Sequence, residues 1–288
     1  LTVLSTRAVE RYAHWGAARD AGALDEAITL MRHCVGVLPK DHPGGPMALS
    51  HLCAALRDRY VLRRTGTDLD EAVAAGRRAV ASARPGDPNG WMYPGNLSGA
   101  LNALFQTHQS TAVLDEAVTC ATEAVRRAPT APAVFHSHLG VALMARAGRH
   151  TPTSASDVRD AVHAFRSAVR GAARNDPRLA MYLSHLGVAL HVRFLRLADP
   201  CGPADLQAAW EFVSKAVRVC SPSDPERFLY LANLGAVLST RAERSGAVAD
   251  FDLLVEAERH ALHAAPAPWR AERLRALASA LGLRYDRT

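Results

Sequence analysis

Arginine recurs at one register of this chain, and that recurrence is the first feature that could carry chemistry. Arg7, Arg59, Arg146, Arg193, Arg241 and Arg284 each stand three residues after the last leucine of a repeated phrase; Leu104 takes the place in the remaining copy. Such a ladder could be a cationic rail for an acidic peptide. It could equally be a set of ion pairs with acids on adjacent helices, such as Asp70 or Glu71. A residue repeated in nearly every unit usually builds the fold, because binding uses what differs between units. The guanidinium also suits packed, partly desolvated ion pairs. The expectation is therefore that Arg146 and Arg193 are buried beside an acid. Arg57, one turn away, is expected on an exposed face with little bearing on stability.

Histidine and asparagine form a second series: His51, Asn96, His138, His185 and Asn233. A metal ladder would need ligands that converge, and asparagine at two of five positions spoils it. His136-x-His138 and His260-x-x-His263 have no further Cys, Asp or His at ligand spacing, so no metal and no cofactor are expected. Backbone bonding at the junctions between units is the expected role. Cysteines stand at 34, 53, 120, 201 and 220, without a CxxC pair. They read as core thiols, with Cys34, Cys120 and Cys220 on helices. GxxxxGK[ST], HExxH, GxSxG and GxGxxG are all missing, which leaves no basis for an enzyme.

These residues sit on two alternating phrases. The first reads Ser50-His-Leu-Cys-Ala-Ala-Leu56 and returns, at intervals of 42 to 48 residues, from Gly95, Ser137, Ser184 and Ala232, with a decayed copy from Arg275. The second is Leu24-Asp-Glu-Ala27, Leu69-Asp-Glu-Ala72 and Leu114-Asp-Glu-Ala117, with looser copies at Val158, Leu206 and Phe251. Leu49, Leu52, Leu56 and Tyr60 share one helical face, as do Leu69, Ala72, Val73, Gly76 and Val80. The phrases thus define helices A and B. Asp68 is expected to cap a B helix, and proline-rich turns such as Pro85-Gly-Asp-Pro88 end it. The spacing predicts A helices up to 19 and over 44–64, 88–109, 132–148, 177–198, 224–245 and 268–286. B helices are predicted over 22–38, 68–84, 112–128, 155–173, 203–220 and 249–264. The loop-like stretch 151–156 reads as an enlarged inter-helix turn and not as a domain boundary. A period of this length marks an all-α solenoid of antiparallel helix pairs, a right-handed superhelix of about six and a half repeats over 1–288. The phrases are cut through at both ends, so the chain reads as a segment of a longer protein.

Composition narrows the partner. Hydrophobic residues make 49% of the 288 and aromatics 6%, so the core is Ala, Leu and Val, which lets helices approach closely. The net charge of +6 is nearly all arginine, with lysine only at 40 and 215. No stacking aromatics are interleaved with those basic residues, which argues against nucleic acid. No apolar run is long enough to span a bilayer, and the start lacks a signal peptide's pattern; with unpaired cysteines, a cytoplasmic setting is expected.

The phrases resemble the tetratricopeptide repeat family. Asn233-Leu-Gly235, His138-Leu-Gly140 and His185-Leu-Gly187 match its helix A; Asp25-Glu-Ala27, Asp70-Glu-Ala72 and Asp115-Glu-Ala117 match the opening of its helix B; Ala124 and Pro129 match its close. Each unit carries about ten residues beyond the usual 34. That long form is similar to arrays of actinobacterial proteins that carry a caspase-like CHAT protease domain, absent from this sequence. The resemblance implies a non-catalytic scaffold that binds a peptide or helical segment, from another protein or from its own parent chain, in a concave groove lined by A helices. Carried onto this chain, the groove face includes Arg57, Asp58, Asn102, Met144, Val188, His191, Ser239 and Thr240, among small residues such as Gly95, Gly99, Ala232 and Ala236. The family's lysine and asparagine carboxylate clamp is missing. The small residues leave two readings open: a mildly apolar trough for a peptide, or room for tight curvature. A sensor of a small signalling peptide and a basic nucleic-acid module are the competing functions.

Overall fold

The computed structural model describes residues 2–39, 41–149, 153–197 and 202–287. Lys40, Cys201 and the first two residues of the 151–156 stretch lie outside them. The described residues hold thirteen α-helices and no strand: α1 Thr2–Ala18, α2 Ala21–Val37, α3 Gly45–Arg63, α4 Gly66–Ala81, α5 Met92–His108, α6 Thr111–Arg127, α7 Ala133–Ala147, α8 Ser154–Gly171, α9 Leu179–Arg196, α10 Gly202–Val219, α11 Arg227–Ser245, α12 Val248–Ala264 and α13 Ala267–Tyr285. Odd-numbered helices carry the A phrase and even-numbered ones the B phrase. They form two compact units, Leu1–Thr151 and Pro152–Thr288. The division falls in the stretch expected to be an enlarged turn.

Four of the A-to-B turns share a mechanism, whereas α7 and α9 close at Gly148 and Leu197 with negative φ. Arg19, Arg64, Gln109 and Gly246 close α1, α3, α5 and α11 with φ of 56°, 58°, 54° and 65°, in the left-handed region that ends helices. The next residue is extended at Asp20, Thr65, Ser110 and Ala247, and the B helix begins at once. Asp20 accepts a bond from Gly22 N at 2.9 Å. Asp68 does not cap α4 as expected. Thr65 holds the cap position, and Asp68 lies in the first turn.

The B-to-A turns explain why three A helices start later than predicted, at 92, 179 and 227. Asp87, Asp176 and Asp224, each followed by proline, accept backbone bonds from Asn89, Arg178 and Glu226 at 2.8–2.9 Å. Each aspartate so closes a separate turn of its own before the helix opens.

Within each unit the leucines of both phrases meet alanines between the helices. Leu24, Leu56, Leu101, Leu114, Leu183 and Leu190 are at most 1% exposed, and Ala27, Ala72, Ala100, Ala117, Ala189 and Ala209 are fully buried. Apolar burial of this kind drives folding at about 25 cal/mol per Å². In the first unit α3 packs on α5 and α5 on α7; in the second α9 packs on α11. A-helix faces thus lie side by side, which is what a groove requires.

Candidate binding groove

Five arginines of the ladder form ion pairs. Arg193 on α9 grips Asp205 on α10 with two bonds, Nε–Oδ2 2.6 Å and Nη2–Oδ1 2.5 Å, and the two side chains are 13% and 5% exposed. Arg59 on α3 holds Asp68 on α4 in the same way, at 2.9 and 2.6 Å, and reaches Asp25 on α2 at 3.2 Å. Arg241 on α11 binds Asp250 on α12 at 2.6 Å, with its guanidinium 4.3 Å above the ring of Trp210 on α10. Arg146 is half-buried on α7. The acid expected beside the ladder was Asp70 or Glu71; the one used is the aspartate just before the B-phrase opening. Glu71 instead takes Arg32 of the preceding B helix, at 2.9 and 2.5 Å.

The sequence held a signal for this pairing. Where the ladder has Leu104, the aspartate position is Val113; where it is Ala23, Arg7 is solvent-exposed and holds Glu26 at 2.7 Å. At the far end Arg284 pairs with Asp252 in an exposed contact. Exposed pairs contribute about 0–1 kcal/mol.

Three predicted groove residues of the first unit prove to be internally bonded. Asp58 accepts from Tyr12 Oη at 2.8 Å and Trp15 Nε1 at 3.3 Å, both on α1, and from Arg57 Nε at 3.0 Å. Arg57 also meets His138 Nε2 on α7 at 3.1 Å. His138 Nδ1 faces Gly95 O on α5 at 3.1 Å, and Asn102 donates to His138 O at 2.9 Å. With Nδ1–H donating to the carbonyl, Nε2 is the acceptor that faces Arg57. One network thus crosses α1, α3, α5 and α7. Burial alone would raise the Asp58 carboxyl, but the Arg57 guanidinium and the Tyr12 and Trp15 bonds hold it below the usual carboxylate range. Arg57 is 14% exposed and is not the open, dispensable side chain expected.

Small groove residues make this network possible. A β-carbon at Gly99 would stand 2.5 Å from Arg57 Nη1, and one at Gly95 would overlap the Phe135 ring. In the first unit, then, glycine serves close packing, and Met144 on α7 is half-buried.

Of the histidine and asparagine series, His138 and Asn96 bond backbone at junctions as expected, whereas Asn233 takes a side-chain hydroxyl. Asn96 donates to Ser50 O at 3.3 Å and Oγ at 2.9 Å, and Asn233 to Ser184 Oγ at 3.0 Å. Burial lowers His185 to a pKa of about 4, so it stays neutral. Cys34, Cys53 and Cys220 are buried and Cys120 is partly so. Burial pushes the Cys53 thiol up to about 12 and Cys120 to about 11, which withholds the nucleophilic thiolate. Cys220 lies just past the end of α10, with Arg227 Nη1 3.0 Å from its sulfur.

In the second unit, too, predicted groove residues bond one another or their own helix, and His191 is not the open groove residue expected. His191 is buried and meets Thr240 Oγ1 at 2.8 Å, Val188 is half-buried, and Ser239 donates to Glu243 at 3.1 Å. Between α11 and α13 lies a cleft of about 440 Å³. Ala232, Ala236 and Ser239 line one wall, Trp269, Glu272 and Arg273 the other, and Leu254 and Glu258 of α12 the floor. The groove prediction included this α11 wall; it missed Glu258, Arg273 and Trp269. Among the described residues no cluster could hold a metal, and no helix is long and apolar enough to cross a membrane.

No family model and no curated protein matches the chain. Among solved structures it is similar to TTC0263, a thermophilic TPR protein of Thermus thermophilus, at 20% identity and a TM-score of 0.51, over 81% of this chain and 98% of that one. It is also similar to BtubC (BKLC) from P. vanneervenii, at 16% identity and a TM-score of 0.50, over 85% and 89% of the two chains. The likeness is one of fold. The chain is a TPR-like, all-α array of helix pairs.

Proposed function

We propose that this chain is a non-catalytic interaction scaffold that binds a peptide or helical segment along its A-helix faces. The occupant belongs to another protein or, as the similarity to CHAT-bearing arrays suggests, to another part of the parent chain. The observation that carries this reading is the α11–α13 cleft, an open trough on the face where the repeats put small side chains. A cleft that combines apolar side chains with Asn233, Ser239, Glu258, Glu272 and Arg273 suits helix-in-groove or extended-peptide recognition with a polar anchor. Against a nucleic-acid role stands the commitment of the arginines: Arg32, Arg59, Arg77, Arg193 and Arg241 each hold a carboxylate within the fold.

The test uses peptides selected against the full chain from a random library. Ala236 is exposed on the cleft wall. Ala236→Trp, which fills the cleft, is expected to weaken the selected peptides about tenfold or more while the melting temperature stays near the parent's. Their affinity should also change little with salt, whereas phosphate contacts would give a steep loss. Undiminished binding to Ala236→Trp would remove the cleft from the interface.

A further inference from the structure

The cleft lies where the last repeat departs from the others. Seven residues after the residue that opens each B phrase stand Met31, Gly76, Ala121, Phe165, Val213 and Glu258. The first five are buried and apolar or small, and the sixth is a glutamate, also buried. Facing it, the position two residues before the A phrase is a half-buried Ala48 in α3 and a buried Tyr93, Phe135, Tyr182 and Tyr230 in α5, α7, α9 and α11, but Arg273 in α13. Two core positions have therefore become charged in one repeat, and they meet at a cavity. Gly235 supplies the space for the carboxylate, since any β-carbon there would overlap Glu258 Oε1.

Glu258 is incompletely satisfied. Its Oε2 is buried without a hydrogen-bond partner among the described residues; Arg273 Nη1 stands 3.5 Å away, an ion pair outside bonding geometry. Arg273 gives its short contact, Nη2–Oε1 2.5 Å, to Glu272 instead. A buried acceptor left without a donor is costly and rare in native proteins. Burial raises the Glu258 carboxyl above its ordinary value, with Arg273 opposing and Glu272 reinforcing the shift, so the anion lacks the solvation a donor would provide. Two carboxylates and one guanidinium line the cleft, leaving one negative charge. Trp269, 45% exposed at the rim and 5.8 Å from Phe228, offers an apolar ring face for the stem of a long cationic side chain.

We propose that the α11–α13 cleft receives a basic side chain, lysine or arginine, of a peptide lying in the groove. Its cationic head donates to Glu258 Oε2 and its alkyl stem lies against Trp269 and Leu283. This rests on the groove reading above and names what that groove selects.

The probes are capped alanine peptides with a central lysine, arginine, norleucine or glutamate, titrated into the full chain. The readout is the indole N–H resonance of Trp269, assigned with Trp269→Phe. Lysine and arginine peptides are expected to shift it, and norleucine and glutamate peptides to leave it in place. Glu258→Gln, which preserves shape, should weaken the lysine peptide about tenfold or more while melting near the parent. Trp269→Ala, at an exposed rim, should also weaken it without disturbing the fold. Equal binding of norleucine would overturn the cationic anchor and leave the groove intact. Preference for glutamate would overturn it in favour of Arg273 as the anchor. If no probe moves Trp269 while library-selected peptides still bind, the proposal fails and the scaffold reading survives.

Discussion

Replacing Arg193 by alanine is expected to cost about 3–5 kcal/mol, the largest loss we anticipate from a single truncation in the second unit. The reason is the stranded partner. Asp205 is 5% exposed and draws two bonds from that guanidinium. Without it, a buried carboxylate is left with neither water nor a cation. Replacing both members, Arg193→Met with Asp205→Leu, should recover much of the loss, since an apolar pair of similar volume needs no counter-charge. Helix-pair arrays couple mainly to nearest neighbours, so faster hydrogen exchange should concentrate in α9 and α10. An Arg193→Ala protein that melts like its parent would return the ladder to the role of a ligand rail.

Arg57→Ala is expected to do comparable damage in the first unit, about 3–5 kcal/mol, against the sequence-based expectation of almost none. Its removal leaves Asp58, 22% exposed, facing Tyr12 and Trp15 without a cation, and takes the donor from His138. Four A helices lose their shared polar tie. The double change Arg57→Ala with Asp58→Ala should cost less than the sum of the two single changes, because the residues form one network. Thermal melts of the three variants check this. Additive losses would mean that the two side chains act independently and that the network is incidental.

The fold was legible because both phrases carry their own punctuation. Leucine at helical spacing marks the inner faces, and a proline or a left-handed residue follows many of the helix ends, though not those of α7, α9 and α13. Helix starts were less legible at Asp87, Asp176 and Asp224, where an aspartate–proline pair reads as a helix opening but closes a turn first. The ladder's partner was misassigned for a different reason: Asp70 and Glu71 belong to the phrase that repeats, whereas Asp68 precedes it and is missing from two copies. One matching absence, Leu104 with Val113, was visible in the sequence; Ala23 still stands opposite an arginine, and the exposure of Arg7 was not legible there.

The candidate groove was drawn only by averaging over repeats. That averaging placed Arg57, Asp58 and Asn102 on a binding face by analogy, and in the first unit those side chains satisfy one another. It also passed over Glu258 and Arg273, which are informative because they break the average. Each is an ordinary helical residue when read locally. Their burial beside an open cleft follows from packing between α11, α12 and α13, which no single helix pattern reports.

The most direct test of the scaffold reading is a backbone and methyl chemical-shift map of the full chain with a library-selected peptide bound. Perturbations are predicted along the cleft-facing residues of α11 and α13, around Ala236, Ser239 and Trp269, with the outward faces of α10 and α12 unchanged. Perturbations confined to the B helices or to the inter-helix turns would contradict it.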